Sequence, residues 1–387
     1  MRLNPGIILV ATGVAACMGS RSLPSDVGSS PARSAVRPDA AVANPSPMAA
    51  VPASTVEEAR RARFVEWLRE RLPPGGRVDD APGDPLDVVH TTAAGDTPLT
   101  IAKTYLDVTD VYRAKDLAAA IAKASPDLRP GAEVHIPHLL AEPYRDPAED
   151  RMTWPAERAL RGIYITGETA GASWPETLDR VQTHGLNAIV LDAKGWGGTT
   201  TYPSHVKPAV EGAGRHAPIP DFSRAIRFAH ERGIYVVARV TCFHDPWLAA
   251  HLRGSWIRSA SGRPAAVGWV DPANPEVQAY VFDLVKEVID LGADEVQLDY
   301  VRFPVEDLGD AVMLPPDGHR SRAIASFVAR VHEIARARRV PLSVDVFGIA
   351  ASASRADVEA LGQNLVLLGP EVEAVSPMVY PSHYPVG

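Results

Sequence analysis

Six short apolar runs, at 162–166, 187–194, 234–243, 294–303, 341–348 and 373–381, alternate with amphipathic stretches from Arg161 onward. No other feature constrains the fold as much. Val277, Tyr280, Val281, Leu284, Val288 and Leu291 fall at i, i+3, i+4, i+7, i+11 and i+14, one face of an α-helix. Ile324, Phe327, Val328, Val331 and Ile334 line a second such face. Gly185, Gly233 and Gly292 each stand one or two residues before a strand run, where a helix C-terminus takes a left-handed residue. Repeated βα units with nearly continuous apolar strands predict an α/β fold with a parallel sheet covered on both faces.

A (β/α) TIM-type barrel and a doubly wound open sheet both satisfy that pattern, and the chemistry separates them. No G-x-G-x-x-G or G-x-x-x-x-G-K-[ST] follows any strand, so neither nucleotide fingerprint is present. Polar residues collect instead at the carboxyl ends of the strand runs: Asp192 and Lys194 on the second, Arg239 and His244 on the third, and Asp299 and Arg302 on the fourth. Asp345 ends the fifth, with Tyr380 and His383 at the sixth. Barrel enzymes build their sites on that ring. A closed barrel needs eight strands and only six runs precede Gly387, so the expectation is a barrel incomplete at its C-terminus, the intact form continuing by about two βα units of roughly 30 residues each.

The chain has no H-x-H, no H-E-x-x-H and only two cysteines, Cys17 and Cys242, so no metal or other cofactor is expected. A G-x-S-x-G nucleophile elbow is missing too. Lys and Arg number 39 against 47 Asp and Glu, a formal charge of −8, so no basic excess points to nucleic acid. What remains is a carboxylate-rich strand-end ring with Trp196, Trp247, Trp256, Trp269 and Tyr380 in its loops. Sugars stack on such rings and paired carboxylates cleave glycosidic bonds, though a tryptophan in a loop also serves plain packing. Asp271, in Trp269-Val270-Asp271-Pro272, reads either as a substrate contact or as the cap of the helix that follows, and His244-Asp245-Pro246 either as a contact or as a turn.

The amino-terminal third is of another kind. MRLNPGIILVATGVAAC has an early Arg, a short apolar run and small residues ending at a cysteine, the layout of an export signal. Val14-Ala15-Ala16-Cys17 resembles the bacterial lipobox, which implies cleavage before Cys17, acylation of that residue and attachment to a membrane surface in the cell envelope. Residues 18–55 are dominated by Ala, Pro, Ser and Val and read as a tether. Thr55-Val56-Glu57-Glu58 reads as a capping box for an amphipathic helix over 56–72 with Phe64, Trp67, Leu68 and Leu72 on one face. Residues 84–140 give a strand, a Gly95-Asp96-Thr97 turn, two helical stretches and a closing strand after Pro130-Gly131. With Ile101-Ala102, Tyr105, Leu128 and Ile136-Pro137, that segment resembles a LysM module, which implies binding of N-acetylglucosamine-containing glycan such as peptidoglycan. Its middle is longer than usual and the Asn after the second helix is missing, and a purely structural spacer is the alternative.

From about Arg161 to the end, GIYITGETAG, NAIVLDAKGWGG, GIYVVARVTCFHDP, GWVDPANPEV, DEVQLDYVRFP, LSVDVFG and VSPMVYPSHY resemble the glycosyl hydrolase domain of unknown function, a TIM-barrel family distantly similar to α-amylase-like hydrolases. The resemblance implies a catalytic nucleophile at the end of strand four, Asp299, and a general acid at the end of strand five, Asp345. Asp192, Lys194, Arg239, His244, Asp271, Arg302, Tyr380 and His383 are then substrate contacts or support. Two departures stand out. Gln297 occupies the position where amylase-like enzymes carry an Arg, so Arg239 or Arg302 must serve Asp299 if any guanidinium does. Strand five offers Asp345 rather than Glu. The sequence therefore leaves two functions open: a surface-anchored glycosidase acting on an envelope or extracellular polysaccharide, and a non-catalytic glycan-binding lipoprotein whose carboxylates form structural ion pairs.

Overall fold

Glycine stops and apolar runs place the strands where the sequence predicts them. The computed structural model describes residues 53–81, 84–154, 159–213, 217–305, 308, 311–312, 319–351 and 355–380. The export signal, Cys17, the tether up to residue 52 and His383 lie outside the described residues. The chain divides into two compact units: the smaller holds the described residues up to Asp110 together with Leu117–Pro143, the larger Val111–Asp116 and the chain from Tyr144.

The smaller unit's elements are α1 (Ala53–Arg69), β1 (Gly76–Asp79), β2 (Asp87–Thr91), α2 (Pro98–Tyr105), α3 (Ala114–Ala124), whose first three residues fall in the larger unit, and β3 (Glu133–His135). Strands β1, β2 and β3 form an antiparallel sheet with β2 central. Helix α1 starts before Thr55 and ends at Arg69, burying Phe64, Val65 and Leu68. Thr97 caps α2 in a reciprocal capping box with Thr100, which secures the free N–H groups of its first turn. Asp96 accepts from the Ala93 N–H at 2.6 Å and pairs with His90 Nε2 at 3.0 Å, and these contacts hold its carboxyl below the usual range. Gly95 and Gly131 turn the chain at φ +95 and +85, conformations that glycine adopts without strain.

The larger unit runs β4 (Gly162–Ile165), α4 (Gly167–Thr183), β5 (Ala188–Lys194), α5 (Lys207–Ala213), α6 (Phe222–His230), β6 (Tyr235–Thr241), α7 (Pro246–His251), β7 (Arg258–Ser259), α8 (Pro275–Asp290), β8 (Glu295–Asp299), β9 (Ala311–Val312), α9 (Arg320–Ala337), β10 (Leu342–Phe347), α10 (Arg355–Leu361), α11 (Leu365–Leu368) and β11 (Ala374–Met378). Among the described residues six strands form one sheet in the order β11-β10-β8-β6-β5-β4, every neighbouring pair parallel, while β7 and β9 pair antiparallel apart from it. A six-stranded parallel sheet with helical crossovers is the architecture of an incomplete TIM-type barrel.

The central strands are buried on both faces, as expected, and register and the two-residue period of a strand sort their side chains into an apolar set and a more polar one. Ile165, Ile189, Leu191, Val236, Ala238, Val240, Val296, Leu298, Leu342 and Val344 point to the helix side and lie in the main core. The opposite face carries Tyr164, Asp192, Arg239, Gln297, Asp299, Ser343, Asp345 and Ser376. At its amino-terminal end this second face is closed by Ala188, Tyr235 and Val237 packed against Met152 and Leu160. Its polar residues are therefore concentrated towards the carboxyl ends, where a barrel site belongs.

Candidate active site

Neighbouring strands bring three charged groups into one buried network. Arg239 on β6 donates from Nε and Nη2 to Asp299 Oδ2 on β8, at 3.0 and 2.6 Å, and from Nη1 to Asp192 Oδ1 on β5 at 2.5 Å. Tyr164 on β4 donates its hydroxyl to the other oxygen of Asp192 at 2.5 Å. Burial opposes the charge of Arg239, but Asp299 and Asp192 overcome it and hold the guanidinium firmly protonated. Burial raises the Asp192 carboxyl, with Arg239 and Tyr164 pulling the other way. Arg239 is thus the guanidinium that Gln297 cannot supply, reaching Asp299 from the adjacent strand; Gln297 instead donates its amide to Ser376 Oγ at 3.3 Å.

The backbone assists at Asp299. The strand ends there because Tyr300 takes φ +49, a left-handed conformation unusual for a bulky residue. That turn brings the Tyr300 N–H to 2.6 Å from Asp299 Oδ1, so both carboxylate oxygens accept bonds from fixed donors. Asp345, on the next strand, β10, is pushed well above the carboxylate range by burial and by the negative charge of Asp299, against the pull of Arg239. The two candidate acids therefore sit in opposed surroundings, one ringed by donors and the other driven towards its protonated form. Tyr380, just past β11, is half-buried, and its hydroxyl is raised by burial and by Asp345 and Asp299, which places it in the field of the same cluster.

Rings surround the cluster. His244 donates from Nδ1 to the Trp196 carbonyl at 2.8 Å and lies against Trp196, Trp269 and Tyr300, with centroids 6.2, 5.1 and 5.1 Å away. The buried Arg302 stacks over Trp269, Tyr300 and Phe347 at 4.7, 5.4 and 4.4 Å and donates to the Phe303 carbonyl. It braces the rings, leaving Asp299 to Arg239.

Two residues expected among the substrate contacts are placed elsewhere. Lys194 is two residues beyond Asp192 and should share its face, but a bulge between them shifts the register so that Lys194 pairs with Val240. Its ammonium is buried, 2.9 Å from Asp245, and donates a hydrogen bond to the Thr241 carbonyl at 2.8 Å. Asp271 is buried and accepts from the Ala273 N–H at 2.9 Å, a turn role; the cap of α8 is Asn274. Asp245 caps α7 through the Leu248 N–H, the turn reading of its motif. Sequence reasoning missed Tyr164, Tyr300 and Glu295. Tyr164 was legible as a polar side chain two residues before Asp192 in the paired register, whereas nothing in the residue type announced the conformation of Tyr300. Glu295, at the start of β8, accepts from Ser343 Oγ and from Tyr235 at 3.2 Å, and burial raises its carboxyl to about 7.

The model of a family described as "Putative glycosyl hydrolase domain" matches residues 162–387, beginning at the first residue of β4. The chain belongs to that family. This glycosyl hydrolase domain family accounts for the larger unit from its first strand onward. Among solved structures, a hypothetical protein from Ruminiclostridium thermocellum is similar at 29% identity, over 49% of this chain and 97% of its own, with a TM-score of 0.42. The glycoside hydrolase domain of PgaB (BpsB) from Bordetella bronchiseptica is similar at 11% identity, over 58% of this chain and 76% of its own, with a TM-score of 0.47. The chitobiase of Flavobacterium johnsoniae is similar at 13% identity, over 65% of this chain and 41% of its own, with a TM-score of 0.38. No curated protein matches the chain.

Proposed function

We propose that the larger unit hydrolyses glycosidic bonds of an envelope or extracellular polysaccharide with Asp299 and Asp345 as its two carboxyl groups. The observation that carries this reading is their placement on adjacent strands of one polar face, with Asp299 held by Arg239 and Tyr300 and Asp345 pushed towards the acid form. Asp345 gives its proton to the leaving glycosidic oxygen as the bond to the anomeric carbon breaks, and Asp299 attacks that carbon or stabilises the oxocarbenium-like centre; water then adds to the anomeric carbon and returns a proton to Asp345, which restores both carboxyl groups. Arg239 keeps the Asp299 carboxylate aimed as its charge is drawn towards the sugar. Two further elements complete the proposal. The β2-α2-α3-β3 order over 87–135, with its capped α2 and its turn at Gly131, supports the reading of a LysM-like glycan-binding module. The lipobox at Cys17 supports attachment to the envelope membrane.

The test is hydrolysis of a polysaccharide panel by the full chain and two variants. Asp299→Asn keeps the shape but not the charge and is expected to lose at least about 10³-fold in rate. Asp345→Asn is expected to lose the fall in rate that follows deprotonation of the acid at high pH, while sparing dinitrophenyl glycosides, whose leaving group needs no proton. Wild-type rates in both variants sink the assignment. If the wild type hydrolyses no glycan but still binds one, the protein is the binding lipoprotein, and the Arg239 ion pairs are structural.

A further inference from the structure

Trp196 is the most exposed large aromatic side chain among the described residues, at 64%. A single exposed ring is ordinary on a protein surface; what lies beneath this one is not. Trp196 sits in a tight turn closed by Gly195 N–H to the Thr199 carbonyl and Gly198 N–H to the Gly195 carbonyl, both 3.0 Å. The Thr241 hydroxyl donates to the Gly195 carbonyl at 2.7 Å, and the Thr241 carbonyl accepts from Lys194. Lys194 in turn pairs with Asp245, both side chains essentially without exposure. Gly198, at φ +87, rests so closely on Asp245 that an added Cβ would lie 2.0 Å from Oδ1. A desolvated ion pair is an expensive way to fix an exposed loop unless the loop must be fixed.

The ring also has a direction. It lies against the ring of His244, with centroids 6.2 Å apart and an interplanar angle of 30°. His244 lies against Tyr300, the residue next to Asp299, and its Nδ1 bond holds the backbone of Trp196. The pile leads outward from the candidate nucleophile in two ring steps and ends on the free face of an indole. We propose that this face of Trp196 is an outer sugar subsite, stacking on a pyranose unit at least one removed from the bond that is cleaved, and that Lys194 and Asp245 are positioning residues for it. The proposal rests on the glycosidase reading and deepens it: the substrate is an oligomeric or polymeric glycan rather than a single sugar.

The experiment uses the full chain carrying 5-fluorotryptophan, in the Asp299→Asn background so that nothing turns over, with the Trp196 fluorine resonance assigned from W196F. The probes are tetramers of β-1,4-linked N-acetylglucosamine and of α-1,4-linked glucose. The expected result is a saturable shift of the Trp196 resonance with one tetramer, a Kd raised about tenfold in W196A, and recovery to within about threefold of the parent in W196F, which keeps a stacking face. An unmoved Trp196 resonance with both tetramers, or unchanged affinity in W196A, overturns the subsite. Hydrolysis is scored separately on the wild type. Hydrolysis without a Trp196 response removes the subsite and leaves the enzyme; a Trp196 response without hydrolysis removes the reaction and leaves a glycan-binding site.

Discussion

Glu295 shows how much one buried carboxyl can reveal. It shares a face with Asp299 but sits four residues earlier, where the hydroxyls of Tyr235 and Ser343 donate to it. Among the described residues no cation is paired with it, and burial lifts it from 4.5 to about 7. The folded form then binds a proton that the unfolded chain releases near pH 4.5. Its stabilising contribution is complete below that pH and is lost as pH rises through 7, by about 3 kcal/mol in all. Urea titrations between pH 4.5 and 8 are expected to show wild-type stability falling relative to Glu295→Gln by that order; parallel pH profiles would refute it. Asp345 is lifted as well, first by burial and then by the negative charge of Asp299, with Arg239 pulling the other way.

At the scale of elements, the six strands were legible because each apolar run is short, and Gly185, Gly233 and Gly292, at φ +68, +65 and +107, stop the helices before three of them. Asp192, Arg239, Asp299 and Asp345 were legible as strand-end polar residues for the same reason. Lys194 was misplaced because a bulge carries no residue signature, and one inserted residue reverses the face of everything after it. The fourth strand ends at Asp299 rather than running to Phe303, because Tyr300 turns left-handed where no glycine warns of it. The loop that carries Trp196 offers a measurable contrast between two glycines. Gly185→Ala places a Cβ in open space and costs only the backbone strain, about 1 kcal/mol. Gly198→Ala adds a clash with the buried Asp245 carboxylate and is expected to cost roughly 3 kcal/mol or more in denaturant unfolding. Equal losses in the two variants would show that the loop yields, and that Lys194 and Asp245 do not hold it.

At the scale of the molecule, Val111–Asp116, inside the segment 84–140, groups with the larger unit. Tyr112 packs edge-on against Phe228 at 5.3 Å, and its carbonyl accepts from Arg224 Nε at 3.3 Å, across 112 residues of chain. No local pattern reveals contacts so far apart in sequence. The reverse holds for the proposed anchor, whose signature is entirely local: the apolar run, the small residues and Cys17. The two cysteines make that proposal testable with little ambiguity. Cys242 follows β6, is fully enclosed, and has its thiol raised far above the usual range by burial, so it offers no thiolate for acylation or exchange. Labelled palmitate supplied to growing bacteria is therefore expected to enter the wild type and Cys242→Ala equally, and to be absent from Cys17→Ala. Acyl chains on one residue bind a bilayer far more firmly than a single chain does, so Cys17→Ala should also leave the membrane fraction for the soluble one. Label retained in Cys17→Ala, or a membrane fraction unchanged by it, would dispose of the proposed lipid anchor.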